Sequence, residues 1–92
     1  MKQSIEEKIQ EETIRKLSSH DLYPFSVICT YSGGISDGLL SITFFSPQDI
    51  DRILEILDYQ SQCDKSGYFI VNEFNTIILS GLALINFYTH ED

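Results

Sequence analysis

The spacing of apolar residues changes along the chain, and the first spacing predicts a helix. Between Ser4 and Ser19 apolar positions recur every four residues, which is typical of an amphipathic helix. Two pairs of oppositely charged residues also have the i,i+4 spacing of helical ion pairs, Glu11–Arg15 and Glu12–Lys16. The apolar stripe is thin, so we expect this helix to lie across one edge of the domain or to pack on a partner.

From Phe25 the period changes to two, which predicts a β-hairpin. One face of its first strand carries Phe25, Val27, Cys29 and Tyr31. The second strand runs from Leu39 to Phe45, with Leu40, Ile42 and Phe44 on the core face. The glycine-rich segment 33–38 between the strands is expected to form the turn.

A second helix begins after Ser46, which is a suitable N-cap residue, and has Pro47 at its first position. Its apolar face consists of Ile50, Ile53, Leu54 and Leu57. A third strand is predicted over Tyr68–Phe74. The run Ile77–Tyr88 is predicted as a fourth strand bent at Gly81, with a helix over Leu82–Tyr88 as the alternative.

These elements predict one small α+β domain over residues 1–92, with residues 1–3 and 89–92 frayed. The order α-β-β-α-β-β favours a four-stranded, mostly antiparallel sheet with two helices packed on one face. The other face of the sheet is then open. The candidates for that face are Ile28, Phe45, Phe69 and Phe74, which together would form an apolar patch suited to a partner or a second copy of the chain.

The charge of the chain is unevenly distributed. Its net charge is −8, and the first twenty residues are balanced, so residues 21–92 carry all of the excess acid. This distribution disfavours direct binding to nucleic acid and favours encounter with a basic protein. Neither an export signal nor a membrane-spanning run is apparent, so we expect a cytoplasmic protein with reduced thiols, away from the membrane.

No spacing of residues indicates an enzyme, a cofactor site or a metal site. The two histidines and two cysteines are far apart in sequence, and no nucleophile motif is present. Cys29 is expected to be a buried structural thiol, and Cys63 an exposed one. Glu73 is expected on the solvent face of its strand.

One pattern on the second helix predicts a partner-binding surface. Asp51, Glu55 and Asp58 fall at i, i+4 and i+7, and Ile56 and Tyr59 are predicted on the same outward side. Acids steer a basic partner, and the apolar side chains supply contact area. The alternative is an ordinary solvated helix face.

Three functions follow as hypotheses. The first is an inhibitor or neutralising partner, of the immunity or antitoxin type, for a basic protein such as a nucleic-acid-handling enzyme. The second is a dimeric chaperone-like or assembly module that uses the apolar sheet face. The third is a small-ligand binder or enzyme, for which the sequence shows no site.

Overall fold

A computed structural model of the chain describes residues 4–30, 38–60 and 68–89. In chain order the elements are α1 (Ile5–Ser19), β1 (Ser26–Thr30), β2 (Leu39–Thr43), α2 (Pro47–Gln60), β3 (Tyr68–Val71), a 3-10 turn (Asn72–Phe74), β4 (Thr76–Ser80) and α3 (Gly81–Thr89). The predicted α+β class is confirmed. The predicted order α-β-β-α-β-β is wrong, because the chain ends in a third α-helix. The glycine-rich turn and Cys63 lie outside the described residues.

The strands form one antiparallel sheet in the order β1-β2-β4-β3. Its register aligns Cys29 with Leu40 and Leu40 with Leu79 across three neighbouring strands. Ile42 of β2 is likewise opposite Ile77 of β4, two residues from the Leu40–Leu79 pair along each strand. These residues share one face of the sheet and are almost completely buried, so the core lies on this face.

All three helices contribute to the core on that face. The contributing side chains are Ile9 and Leu17 from α1, Ile50 and Ile53 from α2, and Leu84 and Phe87 from α3. The prediction that Leu40, Ile42 and Phe44 face the core is confirmed, since each is at most 2% exposed.

Helix α1 is terminated by local backbone hydrogen bonds. Asp21 adopts a left-handed conformation with φ 59°. The N–H of Leu22 donates to the carbonyl of Leu17, and the N–H of Asp21 donates to that of Ser18. This is the Schellman arrangement, and it includes a hydrophobic contact between the residues at either end, Leu17 and Leu22, both fully buried.

Helix α1 also protects an edge of the sheet, as its thin apolar stripe predicts. Strand β1 is first in the sheet order, so one side of its backbone has no strand partner. There the Cys29 N–H donates to the Gln10 side-chain oxygen at 2.9 Å. A side chain of α1 thus satisfies a backbone group that could otherwise pair with another chain.

The run Ile77–Tyr88 is divided at Gly81, which corrects the prediction of one bent strand and confirms the alternative of a helix after Gly81. Strand β4 is paired on both sides, and its last residue, Ser80, is opposite Leu39, the first residue of β2. Beyond Ser80 the chain has no further β2 partner, so a helix satisfies its backbone hydrogen bonds instead. Gly81 has φ +54°, a conformation that glycine adopts without strain.

A buried lysine joins α1 to the end of α3. Lys16 is only 5% exposed, and its ammonium donates to the carbonyls of Phe87 at 2.5 Å and Tyr88 at 2.8 Å. These carbonyls lie in the last turn of α3, where no intrahelical donor remains for them. On the surface of α1 the Glu12 carboxylate pairs with Arg15, at 2.7 Å.

Candidate protein-binding surface

The predicted stripe on α2 is present in part. Asp51 and Glu55 are exposed. Ile56 is partly buried and packs against the core, so the prediction that it faces outward is wrong. It follows the fully buried Ile53 by three residues and therefore lies beside it on the helix surface. Asp58 and Tyr59 lie in α2, but their side chains fall outside the described part of the structure.

Three phenylalanines are concentrated at one end of the sheet. Phe25 precedes β1, Phe45 follows β2 and Phe74 precedes β4, and the antiparallel pairing brings these three strand ends together. They are 66%, 71% and 66% exposed respectively. The rings of Phe25 and Phe45 meet edge to face with centroids 5.4 Å apart. We call these three residues the aromatic end cluster.

A backbone hydrogen bond links the segments that carry Phe45 and Phe74. The Phe44 N–H donates to the Asn75 carbonyl at 2.9 Å, so the residues that follow Phe44 and precede Asn75 lie at the same end of the sheet. Asn75 has φ 49°, a left-handed conformation that asparagine tolerates better than most residues. The Thr76 hydroxyl lies 3.0 Å from the Phe74 carbonyl, to which it donates, and 2.8 Å from the Thr43 hydroxyl.

Among the described side chains, none on the face of the sheet opposite the core is ionisable. They are Ser26, Ile28 and Thr30 from β1, Leu39, Ser41 and Thr43 from β2, and Thr76, Ile78 and Ser80 from β4. Ile28 and Leu39 are 58% and 45% exposed. The prediction that Ile28 lies on this face is confirmed. Phe45 and Phe74 are exposed but lie beyond the ends of the strands, and the Phe69 side chain lies outside the described part.

An open depression of about 250 Å³ lies between the start of α2 and the turn before β4. It is lined by Pro47, Ile50, Asp51 and Asn75. Two of the lining residues adjoin the aromatic end cluster in sequence, since Asn75 follows Phe74 and Pro47 lies two residues after Phe45. The lining therefore combines an apolar wall, a carboxylate and an amide, at the same end of the sheet as the aromatic end cluster.

The segments that form this end of the molecule carry three acidic residues. Asp51 and Glu73 are exposed and Asp49 is half-buried. Within the described ranges, none of these three carboxylates forms an ion pair. Three of the basic residues in those ranges, Lys8, Arg15 and Lys16, are on α1. The fourth, Arg52, donates to the His20 carbonyl at 2.8 Å, so its guanidinium is directed toward the end of α1.

Other candidate chemistry is sparse in the described residues. They contain no group of three or more His, Cys, Asp or Glu side chains that could hold a metal ion. Burial, and to a lesser degree the charge of Glu6, raises the pKa of the Cys29 thiol, which disfavours the reactive thiolate. No helix among the described residues is long and apolar enough to cross a membrane.

No protein-family model, curated protein or solved structure matches this chain. The sequence pattern does not predict that Phe25, Pro47 and Asn75 belong to the candidate surface. Alternation puts Phe25 on the same face of the strand as Val27 and Cys29, but it lies before β1 begins and is exposed. For Pro47 and Asn75 no sequence signal was available, because they meet only through the fold.

Proposed function

We propose that this protein is a non-catalytic binding module that engages a basic protein as its inhibitor or neutralising partner. The observation that carries the proposal is the aromatic end cluster, whose three rings remain about two-thirds exposed, together with nearby acids that form no ion pair among the described residues. Aromatic residues at the centre of an interface supply most of its binding energy, and surrounding charges steer the partner.

The aromatic end cluster exposes a large apolar area for a domain of this size. Taking about 200 Å² for each phenylalanine side chain, the cluster leaves roughly 400 Å² of aromatic surface in water. The largest apolar patch of an ordinary monomer covers about 300–600 Å² and often serves binding. A standard interface buries about 800 Å² on each partner, so the cluster could supply about half of one side.

A second candidate function is self-assembly through the open sheet face. The described side chains of that face are all uncharged, which favours self-assembly, because two copies of a chain with net charge −8 could meet there without direct repulsion. Sedimentation velocity over a range of concentrations tests this candidate. Self-assembly would be supported by a dimer that is disrupted by Ile28→Lys and is left intact by Ile14→Lys. The second variant is the control, because Ile14 is an exposed apolar residue of α1, away from the sheet face.

The primary proposal is tested by affinity capture from the native cell lysate at low and high salt. The double variant Phe45→Ser/Phe74→Ser removes the outer rings of the cluster. As a control, Ile5→Ser/Ile14→Ser removes two exposed apolar side chains of α1. Because all four residues are exposed, both variants should keep the wild-type circular dichroism spectrum and a cooperative melt.

We expect wild type and the α1 control to retain one basic protein at low salt and less of it at high salt, and the cluster variant to lose it. Purified partner should then form a complex of defined stoichiometry and lose its own activity on binding. Equal capture by the cluster variant, or capture of acidic proteins only, would contradict the proposal.

A further inference from the structure

The depression beside the aromatic end cluster has the composition of a pocket for a long cationic side chain. Pro47 and Ile50 supply apolar surface, and Asp51 supplies a carboxylate at its margin. Lysine and arginine have apolar stems that pack against such surface, while their charged heads stay at the rim. Its volume of about 250 Å³ can accommodate one such side chain.

We propose that this depression and the aromatic end cluster together bind a basic, apolar peptide segment of the partner. A lysine or arginine of the segment lies in the depression with its head at Asp51, and a neighbouring apolar residue packs on Phe45 and Phe74. The inference rests on the proposed function and specifies its recognition chemistry.

Charge complementarity selects this occupant over a second copy of the chain. Asp51 lines the depression, Asp49 lies two residues before it and Glu73 directly precedes Phe74, whereas the basic residues of the described ranges lie on α1 or point to its end. A second copy that docked here would bring the same acids against one another, which is unfavourable. An acidic segment would meet the same repulsion.

The test is an NMR titration of the ¹⁵N-labelled full chain with three capped hexapeptides at up to millimolar concentration. The first, Leu-Arg-Phe-Lys-Leu-Gly, is basic and apolar. The second, Leu-Glu-Phe-Glu-Leu-Gly, reverses the charge and keeps the apolar residues. The third, Ser-Arg-Ser-Lys-Ser-Gly, keeps the charge and removes the apolar residues.

Only the first peptide should bind measurably, and its largest shifts should fall on the amides of Phe45, Ile50, Asp51 and Asn75. Asp51→Asn should weaken its binding about two- to fivefold, the range of an exposed ion pair. Glu7→Gln is the control, because it removes the same charge from an exposed site on α1, outside the proposed surface, and should leave the affinity unchanged. Phe45→Ser should weaken binding at least tenfold.

Several results would overturn the inference. These are equal binding of the acidic peptide, equal effects of Asp51→Asn and Glu7→Gln, no binding of the first peptide, or shifts confined to Ile28 and Leu39. Concentration-dependent shifts without peptide would show that a second copy occupies the surface. If the lysate partner is captured through the cluster but none of the peptides binds at the depression, the inference fails while the proposed function stands. If the first peptide binds as expected and no partner is captured, the proposed function fails instead.

Discussion

The buried Lys16 allows a stability prediction whose size follows from its contacts. Its ammonium makes two hydrogen bonds to carbonyls at the C-terminal end of α3. Hydrogen bonds that involve a charged group contribute about 1.5–3 kcal/mol each. The ring of Phe87, 5.6 Å from the ammonium, adds a cation–π contribution of about 0.5–1 kcal/mol.

The cost of burying the ammonium, several kcal/mol, offsets much of this gain. Lys16→Met keeps most of the apolar stem and removes the charge, so we expect it to lower the free energy of unfolding by about 1–3 kcal/mol. Lys16→Ala also removes three methylene groups from the core and should cost about 2 kcal/mol more. For a domain of this size, 1 kcal/mol corresponds to roughly 4–8 °C in Tm.

Urea unfolding followed by circular dichroism measures these differences, with amide hydrogen exchange as a second readout. Lys8→Met is the matched control, because it makes the same change at an exposed position of α1 and should be nearly neutral. Exchange should rise selectively in the last turn of α3 in Lys16→Met. If Lys16→Met equals or exceeds wild type in stability, the desolvation cost outweighs the bonds and the capping role is refuted.

Three further predictions concern local features of the fold. Asp21→Gly should stabilise the protein by about 0.5–1 kcal/mol, because glycine has no Cβ to strain at φ 59°, and a thermal melt in which Asp21→Ala gains as much would contradict this reason. Gly81→Ala should destabilise the protein by about 1 kcal/mol through backbone strain alone, since an added Cβ would meet no atom within 4 Å. An unchanged midpoint of urea unfolding would show that the left-handed φ is not required. Burial raises the pKa of the Cys29 thiol in the folded state, so the unfolded chain releases the thiol proton at a lower pH than the folded chain does. The stability that the buried neutral thiol contributes is therefore fully present at neutral pH and is lost as the pH rises above about 9. Urea midpoints from pH 7 to 10.5 should therefore fall more steeply in wild type than in Cys29→Ala, and parallel curves would contradict the assignment.

The elements predicted correctly are those that depend on local sequence. The start of α2 follows from Pro47 at its first position, and the buried face of β2 follows from the alternation of Leu40 and Ile42. Exposure of Phe45 also follows, because it is adjacent to the buried Phe44 and therefore points the other way.

The elements predicted wrongly depend on distant parts of the chain. The change from strand to helix at Gly81 is decided by where β2 begins, at Leu39, and an apolar run cannot reveal the position of its partner. Lys16 has the sequence position of a surface ion-pair residue, but it is buried because the end of α3, 72 residues away in sequence, meets α1 there.

The same distinction applies to the candidate binding surface. Asp51 was predicted as a partner-binding residue from its helical spacing with Glu55. The fold places it instead beside Asn75 in a depression next to the aromatic end cluster, and Ile56 turns toward the core. Helix periodicity predicts which residues of α2 lie on the same side of the helix. It does not predict which residues of other elements lie next to that side in the fold.

Site-specific photocrosslinking in the native cell tests the central claim most directly. The photoreactive residue p-benzoyl-phenylalanine replaces Phe45 in one variant, and Ile14, Ile28 or Glu55 in three others. A crosslink from position 45 to a single basic protein, absent from position 14, is the result we predict. Crosslinks only from position 55, or only between two copies of the chain through position 28, would contradict the aromatic end cluster as the binding surface.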